Sequence, residues 1–114
     1  MDNCIFCRII KGEIPSTKVF EDESVYAFRD INPMAKTHVL VVPKTHFADV
    51  KDLAGADPAL LGKVFAAAVG IAEKEGIAES GFRLVTNAGE DGCQSVKHMH
   101  VHVLGGEKLS EKLA

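Results

Sequence analysis

Polar and apolar residues alternate through residues 98–104, which read HMHVHVL. Successive side chains of a β-strand point to opposite faces, so this alternation predicts a strand with three imidazoles on one face. Met99, Val101 and Val103 lie on the other face, and we expect them to join the core. Three of the five histidines are thereby directed at one place.

Apolar and β-branched runs predict four further strands, at Lys18–Glu21, Val25–Arg29, 38–42 and 82–87. The acidic, turn-forming residues between the first two indicate a hairpin. Residues 30–33 read DINP, which is typical of a turn because the residue before a proline disfavours helix. The run 38–42 is almost continuously apolar, so we expect it to be a central strand that is covered on both faces.

Two segments have the apolar periodicity of a helix. Residues 4–11 form a short amphipathic pattern that Gly12 can end. The longer helix is predicted to begin at Asp57-Pro58, an N-cap residue followed by proline, and to end near Gly76. Its buried stripe is predicted to consist of Leu61, Val64, Phe65, Ala68, Ile71 and Ala72. The expected fold is α+β, an antiparallel sheet of about five strands with one long and one short helix.

Composition narrows the class of protein. The chain has 114 residues, is 46% hydrophobic and carries a formal net charge of −3. These values predict a single domain over residues 1–114 and no global field that attracts nucleic acid. No apolar run approaches the roughly 20 residues of a membrane span, so we predict no membrane contact. Three cysteines do not make a disulfide framework, which favours a cytoplasmic location.

The histidine row suits three kinds of chemistry. An unperturbed imidazole has a pKa of about 6.5, so near pH 7 it can attack as a nucleophile, transfer a proton or bind a metal. A neutral imidazole that attacks phosphorus forms a nucleotidyl-histidine, whose P–N bond water can hydrolyse. His100 is the expected nucleophile because it has a neighbour on either side. Ser95 and His102 can hydrogen-bond phosphate oxygens, and His102 can also protonate a leaving amine.

Cys4 and Cys7 have the C-x-x-C spacing that lets two thiolates reach one tetrahedral ion. A zinc site needs two more ligands. The alternatives are a redox pair and two buried, inert thiols. The redox pair is disfavoured because the motif does not follow a strand in a βαβ unit.

The string QSVKHMHVHVLGG at residues 94–106 resembles the histidine triad (HIT) family, and specifically its nucleotide-binding Hint branch. The resemblance extends along the chain through CIFC (4–7), FRDINP (28–33), TH (37–38), VPKTH (42–46) and TN (86–87). It implies the HIT-like fold and a homodimer that pairs through the long helix and a sheet edge into one continuous sheet of about ten strands. It also implies hydrolysis of purine nucleoside 5′-phosphoramidates or aminoacyl adenylates.

The same resemblance implies roles for the catalytic residues. His100 matches the family's nucleophile, and His102 and Ser95 match the groups that hold the α-phosphate. His38 matches a supporting histidine that orients the nucleophile. The alternative for His38 is a hydrogen-bonded histidine of the core.

A nucleotide site is implied as well. Asp30 matches an aspartate that binds the ribose hydroxyls, and its alternative role is to close the turn before Pro33. Asn87 and the glycine-rich loop that ends at Gln94 match the phosphate and ribose side. The base pocket corresponds to apolar residues that in isolation are more often core, namely Phe6, Ile9, Phe28 and Ile31.

In HIT relatives that keep the cysteine pair, two histidines complete a structural zinc site. Here the ligands would be Cys4, Cys7, His46 and His98. This set leaves His100 free to react, and the chemical step needs no cofactor. Cys93 stands where relatives commonly have glycine, and we expect it to be a small filler residue.

The leading interpretation is therefore an enzyme that hydrolyses purine nucleoside 5′-phosphoramidates through a nucleotidyl-histidine at His100. Three alternatives stay open. They are a zinc hydrolase whose three histidines hold one metal ion, a non-catalytic nucleotide-binding module, and a hydrolase of diadenosine polyphosphates. Chelation separates the first from the covalent enzyme, because only a metal enzyme should lose activity at once.

Overall fold

The computed structural model describes residues 3–113 of the chain. Within that range the chain forms three helices and five strands. In chain order they are α1 (Ile5–Ile10), β1 (Lys18–Glu21), β2 (Val25–Arg29), β3 (Thr37–Pro43), α2 (Val50–Ala56), α3 (Pro58–Lys74), β4 (Phe82–Val85) and β5 (Val101–Gly105).

The five strands form one antiparallel sheet in the order β1-β2-β3-β5-β4. β3 is the central strand, and six of its seven residues are buried, which confirms the predicted covering of both faces. The β1–β2 hairpin has the predicted bounds. Asp22 closes its turn by accepting from the backbone N–H groups of Ser24 and Val25, each at 2.8 Å.

The last two strands are shorter at one end than predicted. β4 ends at Val85 rather than at 87, because Thr86 leaves the ladder and donates its hydroxyl to the carbonyl of His100 at 2.8 Å. β5 begins at Val101 rather than at 98, since the backbone bends through residues 96–98. The predicted alternation nevertheless continues through the bend. Its fully buried apolar positions are Met99, Val101 and Val103.

α3 packs across one face of the sheet and forms the main core. Asp57 caps it by accepting from the N–H of Leu60 at 3.1 Å, and Pro58 follows, as predicted. The helix buries Leu60, whereas Leu61 and Phe65 of the predicted stripe are only half-buried on its flank. The reason is the rotation of the helix about its axis. The α3 residues that pack against the valines of the sheet are 60, 64, 68, 71 and 72. No helix within residues 3–113 is long and apolar enough to cross a membrane.

The prediction of a single short helix is wrong, because α2 is a second one. Its N-cap Asp49 accepts from the N–H of Asp52 at 2.9 Å, and Asp52 accepts from the N–H of Ala48 at 3.1 Å. These local bonds define the start of the helix. Since Leu53 is the one buried residue of α2, no apolar stripe marks the helix in the sequence.

α1 covers the opposite face of the sheet, over β2 and β3. Gly12 follows the helix with a φ of +81°, a left-handed conformation that suits glycine and ends the helix as predicted. The helix contributes Phe6 and Ile9 to a second apolar cluster. The strand residues of that cluster are Tyr26, Phe28, Leu40 and Val42. The residues singled out for chemistry lie on this face.

Candidate active site and metal-ligand cluster

Two cysteines at the start of α1 meet two histidines from distant parts of the chain. Cys4 is the N-cap of α1, and Cys7 lies one turn later. His46 follows β3, and His98 precedes β5. Their ligand atoms all lie within 4.8 Å of one another. The fold therefore brings together the four side chains that the sequence analysis expects around a zinc ion.

The separations of these atoms fit tetrahedral coordination. Nδ1 of His98 lies 3.4 Å from Sγ of Cys4 and 3.5 Å from Sγ of Cys7. Nδ1 of His46 lies 3.2 Å from Nδ1 of His98 and 3.4 Å from Sγ of Cys7. Tetrahedral zinc, with Zn–N of about 2.0 Å and Zn–S of about 2.3 Å, requires N···N of about 3.3 Å and N···S of about 3.5 Å. Two thiols and two imidazoles are also donors that zinc prefers.

His98 is oriented for such a role. Its Nε2 lies 2.9 Å from the carbonyl oxygen of Pro43, and a carbonyl only accepts, so Nε2 carries the proton. The lone pair of Nδ1 then points to the cluster, as in metal-binding histidines generally. Burial lowers the pKa of His98 to about 4, so the ring is neutral at pH 7. Burial, followed by its contact with Cys4, raises the pKa of the Cys7 thiol, and a cation favours the thiolate.

A cavity of about 240 Å³ lies beside α1 and holds most of the residues expected around the nucleotide. One end has apolar walls and the other has polar groups. Eight expected residues line it, namely Phe6, Ile9, Phe28, Asp30, Ile31, Ser95, His100 and His102. Sequence reasoning missed Leu40, although it lies two residues after His38 on the same face of β3. A larger groove of about 800 Å³ between the β1–β2 hairpin and α3 has no histidine or cysteine, so size alone does not identify the site.

Two expected nucleotide residues lie outside this cavity. Asn87 lines an adjoining cavity of about 290 Å³, which shares His102 with the first. Gln94 is 8% exposed, and its amide bonds to backbone groups of the chain itself.

His100 is 3% exposed, and its ring lies in the wall of the 240 Å³ cavity. Its Nδ1 lies 2.7 Å from the carbonyl oxygen of His98, so Nδ1 carries the proton and the lone pair is on Nε2. Burial, partly opposed by that hydrogen bond, lowers the pKa of His100 and keeps the ring neutral. Phe6 meets the ring edge-on at a centroid distance of 5.1 Å. The result is a neutral imidazole in a fixed orientation.

A chain of hydrogen bonds determines the tautomer of His102. The N–H of Met34 donates to Nδ1 of His38 at 3.0 Å, so the proton of the neutral His38 ring is on Nε2. That nitrogen donates to Nδ1 of His102 at 2.9 Å, which leaves the proton of His102 on Nε2. Burial, followed by the charges of His100 and His38, lowers the pKa of His102 to about 4. His102 therefore offers an N–H donor, and the bonds of His38 link it to His102 rather than to His100.

Asp30 lies at the end of this chain. Its Oδ1 accepts from the N–H of Asn32 at 2.8 Å, which closes the turn, and its Oδ2 lies 3.5 Å from Nε2 of His38. Asp30, His38 and His102 are close enough to be considered as metal ligands. The N–H of Met34 argues against this, because it occupies the lone pair of Nδ1 and keeps the proton of His38 on the nitrogen that would have to bind the metal.

The three histidines of the row thus have separate partners. His98 faces the cysteines, His100 bonds a backbone carbonyl, and His102 bonds His38. Their nitrogens do not converge on one point, which a zinc hydrolase with three histidine ligands would require.

Comparisons with known proteins agree with this geometry. The sequence model of the HIT domain matches residues 11–109. The purine nucleoside phosphoramidase of Escherichia coli (strain K12) is 45% identical over 99% of this chain and 95% of its own length. The 14 kDa zinc-binding protein of Zea mays is 51% identical over 93% of this chain and 84% of its own. The HIT family hydrolase from Clostridium thermocellum has a TM-score of 0.95 and 47% identity, covering 100% of this chain and 99% of its own. Since these matches span almost the whole chain, the protein belongs to the HIT family and is a hydrolase of that family.

Proposed function

We propose that the protein hydrolyses purine nucleoside 5′-phosphoramidates to the nucleoside monophosphate and the free amine, with His100 as the nucleophile. The observation that carries the proposal is the hydrogen bond from Nδ1 of His100 to the carbonyl of His98 at 2.7 Å. It leaves a neutral ring with its lone pair on Nε2, in the wall of a cavity that Ser95 and His102 also line. The relative named a purine nucleoside phosphoramidase supports the substrate class.

In the first step, Nε2 of His100 attacks the phosphorus and the P–N bond to the leaving amine breaks. The leaving amine, which would otherwise depart as a poor anion, takes up a proton from solvent, because His102 is neutral and would become an imidazolate if it gave away its only ring proton. Ser95 and His102 hold the charged phosphate oxygens. In the second step, water attacks the phosphorus, the P–N bond to His100 breaks, and the water's proton passes to solvent as the monophosphate is released. Both rings then have the protonation states with which they began.

The rest of the cavity suits a purine nucleoside. Phe6, Ile9, Phe28 and Ile31 provide apolar surface for the base, and Ile31 is 91% exposed at the protein surface, where a ligand can cover it. Asp30 uses one carboxylate oxygen to close its turn, and the other remains for the ribose hydroxyls. Asn87 would act from the adjoining cavity.

We also propose that the four-residue cluster holds a structural zinc ion. Its ligands would be Cys4, Cys7, His46 and His98. The ligand-atom separations and the relative named a zinc-binding protein support this. The ion would hold α1 against two segments, the one that follows β3 and the one that precedes β5. It takes no part in the steps at phosphorus.

The working unit proposed is a homodimer of single-domain subunits, paired through α3 and the outer edge of β4. β4 is an edge strand of the sheet, and the flank of α3 presents half-buried Leu61 and Phe65 with Val69, which is 42% exposed. An apolar flank next to a free strand edge is a surface that a second copy can cover.

The test is a hydrolysis assay on adenosine 5′-phosphoramidate with the wild type and His100→Gln. We expect the wild type to release AMP and the variant to lose at least about a thousandfold in kcat, because covalent catalysis requires the ring nitrogen. Equal AMP binding by the two proteins, measured by calorimetry, shows that the variant is folded. A variant that binds AMP and retains full activity would contradict the proposal.

A further inference from the structure

Both N–H groups and the carbonyl oxygen of the Gln94 side chain form hydrogen bonds with the protein backbone. Its Nε2 donates to the carbonyl of Ala48 at 2.6 Å and to the carbonyl of Val96 at 2.9 Å. Its Oε1 accepts from the N–H of Gly89 at 3.0 Å. The side chain is also buried, with Gln94 8% exposed.

These partners determine the orientation of the amide. Two carbonyl oxygens lie on one side and one N–H lies on the other, so the reversed orientation would set oxygen against oxygen and N–H against N–H. Both N–H groups of the amide are therefore used. No donor remains for a phosphate or a ribose, although the resemblance led us to expect Gln94 among the residues that bind the nucleotide.

The three bonds hold Gln94 and Val96, the residues immediately before and after Ser95. The Gln94 side chain bonds forward, past Ser95, to the carbonyl of Val96 and back to the N–H of Gly89. Its backbone N–H donates to the carbonyl of Gly89 at 3.1 Å. Hydrogen bonds therefore fix the glycine-rich loop before Ser95, through Gly89, and the backbone after it, through Val96. The third bond ties this loop to Ala48, two residues after His46.

We propose that Gln94 is a positioning residue: it does not touch the nucleotide, but holds Ser95 at the phosphate and joins the phosphate loop to the segment that follows His46. This inference rests on the proposed function, because it assumes that Ser95 contacts the phosphate. A displacement of about 1 Å at such a contact can cost on the order of 100-fold in rate. The effect of Gln94 on catalysis passes through Ser95.

The first test is a double-mutant cycle on phosphoramidate hydrolysis with Gln94→Met, Ser95→Ala and the double variant. Gln94→Met keeps the length of the side chain and removes its polar atoms. We expect kcat to fall by about 10- to 100-fold while KM changes less than about threefold. In the Ser95→Ala background, Gln94→Met should cost less than about threefold. An equal loss in both backgrounds would mean that Gln94 acts independently of Ser95, and the proposal would be wrong.

The second test needs neither turnover nor a variant that folds. In nuclear magnetic resonance spectra of the wild type, the side-chain NH₂ protons of Gln94 should exchange slowly with solvent before any ligand is added. Added 5′-AMP should shift the backbone amide of Ser95 and leave the Gln94 NH₂ signals nearly unchanged. Rapid exchange of those protons, or a larger shift at Gln94 than at Ser95, would overturn the proposal. A wild type without phosphoramidase activity but with these spectra would contradict only the proposed reaction.

Discussion

Loss of one ligand of the proposed zinc ion should weaken both the fold and the proposed nucleotide site, because α1 belongs to both. Cys7→Ser removes a sulfur that lies 3.4 Å from Nδ1 of His46 and 3.5 Å from Nδ1 of His98. Cys93→Ser is the matched control, since Cys93 is exposed and lies outside the four-residue cluster. We expect one zinc ion per chain in the wild type and in the control, and a marked loss in Cys7→Ser.

The expected loss of stability follows from linkage. An ion present at 100 times its Kd stabilises the native state by about 2.7 kcal/mol. Unfolding entropy of about 2.1 cal/mol/K per residue gives about 240 cal/mol/K for 114 residues, so the Tm should fall by about 11 °C. Differential scanning calorimetry of the two variants, each with zinc in excess, measures this difference.

The expected loss of AMP affinity has a different cause from the loss of stability. α1 has six residues, too few to be stable as a helix alone, and its buried Phe6 and Ile9 form part of the apolar wall of the cavity. Stacking of a base on an aromatic side chain contributes about 1–3 kcal/mol, so AMP affinity should fall by about 5- to 150-fold. A Cys7→Ser protein that binds no zinc but keeps its Tm and its AMP affinity would refute this reasoning. A Cys93→Ser protein that behaves like Cys7→Ser would do so too.

Three further outcomes follow from the same contacts. His102 has a pKa of about 4 when folded and about 6.5 when unfolded, so the unfolded chain takes up the proton first and stability falls as the pH drops from 6.5 toward 4. Between pH 7 and pH 5 this group should cost about 2 kcal/mol in urea unfolding of the wild type, a loss that His102→Gln should lack. Val64 of α3 is fully buried against the sheet, so Val64→Ala should lower the free energy of unfolding by about 1–3 kcal/mol with an unchanged m-value. Light scattering at micromolar concentration should give a dimer for the wild type and more monomer for Val69→Asp, and a monomeric wild type would contradict the proposed pairing.

The sequence predicted those parts of the fold in which local chemistry and burial agree. β3 could be recognised as a central strand because its apolar run is buried on both faces, and the start of α3 because Asp57 and Pro58 have clear N-terminal preferences. α2 was missed although Asp49 is a favourable N-cap residue, because only Leu53 is buried and no apolar periodicity marks the helix. The rotation of α3 that buries Leu60 depends on the shape of the sheet, which helical periodicity does not contain.

The candidate site also has a part that the sequence predicted and a part that it did not. Motif spacing predicted which residue types are present, and eight of the residues expected around the nucleotide do line one cavity. Motif spacing could not predict which residues far apart in the sequence form hydrogen bonds with each other. His38 meets His102 across 64 positions, and Gln94 meets Ala48 across 46. Those contacts depend on the register of β3 against β5 and on the path of the loop, so they became visible only in three dimensions.

The central claim is that His100 becomes covalently bonded to the nucleotide. The most direct measurement is rapid mixing of the protein with excess adenosine 5′-phosphoramidate, a denaturing quench that preserves the P–N bond, and intact-mass analysis with peptide mapping. The account predicts an early mass gain of one adenylyl group on His100, with the amine released before AMP. Release of amine and AMP in step at every time point with no adduct, or an adduct on another residue, would contradict it.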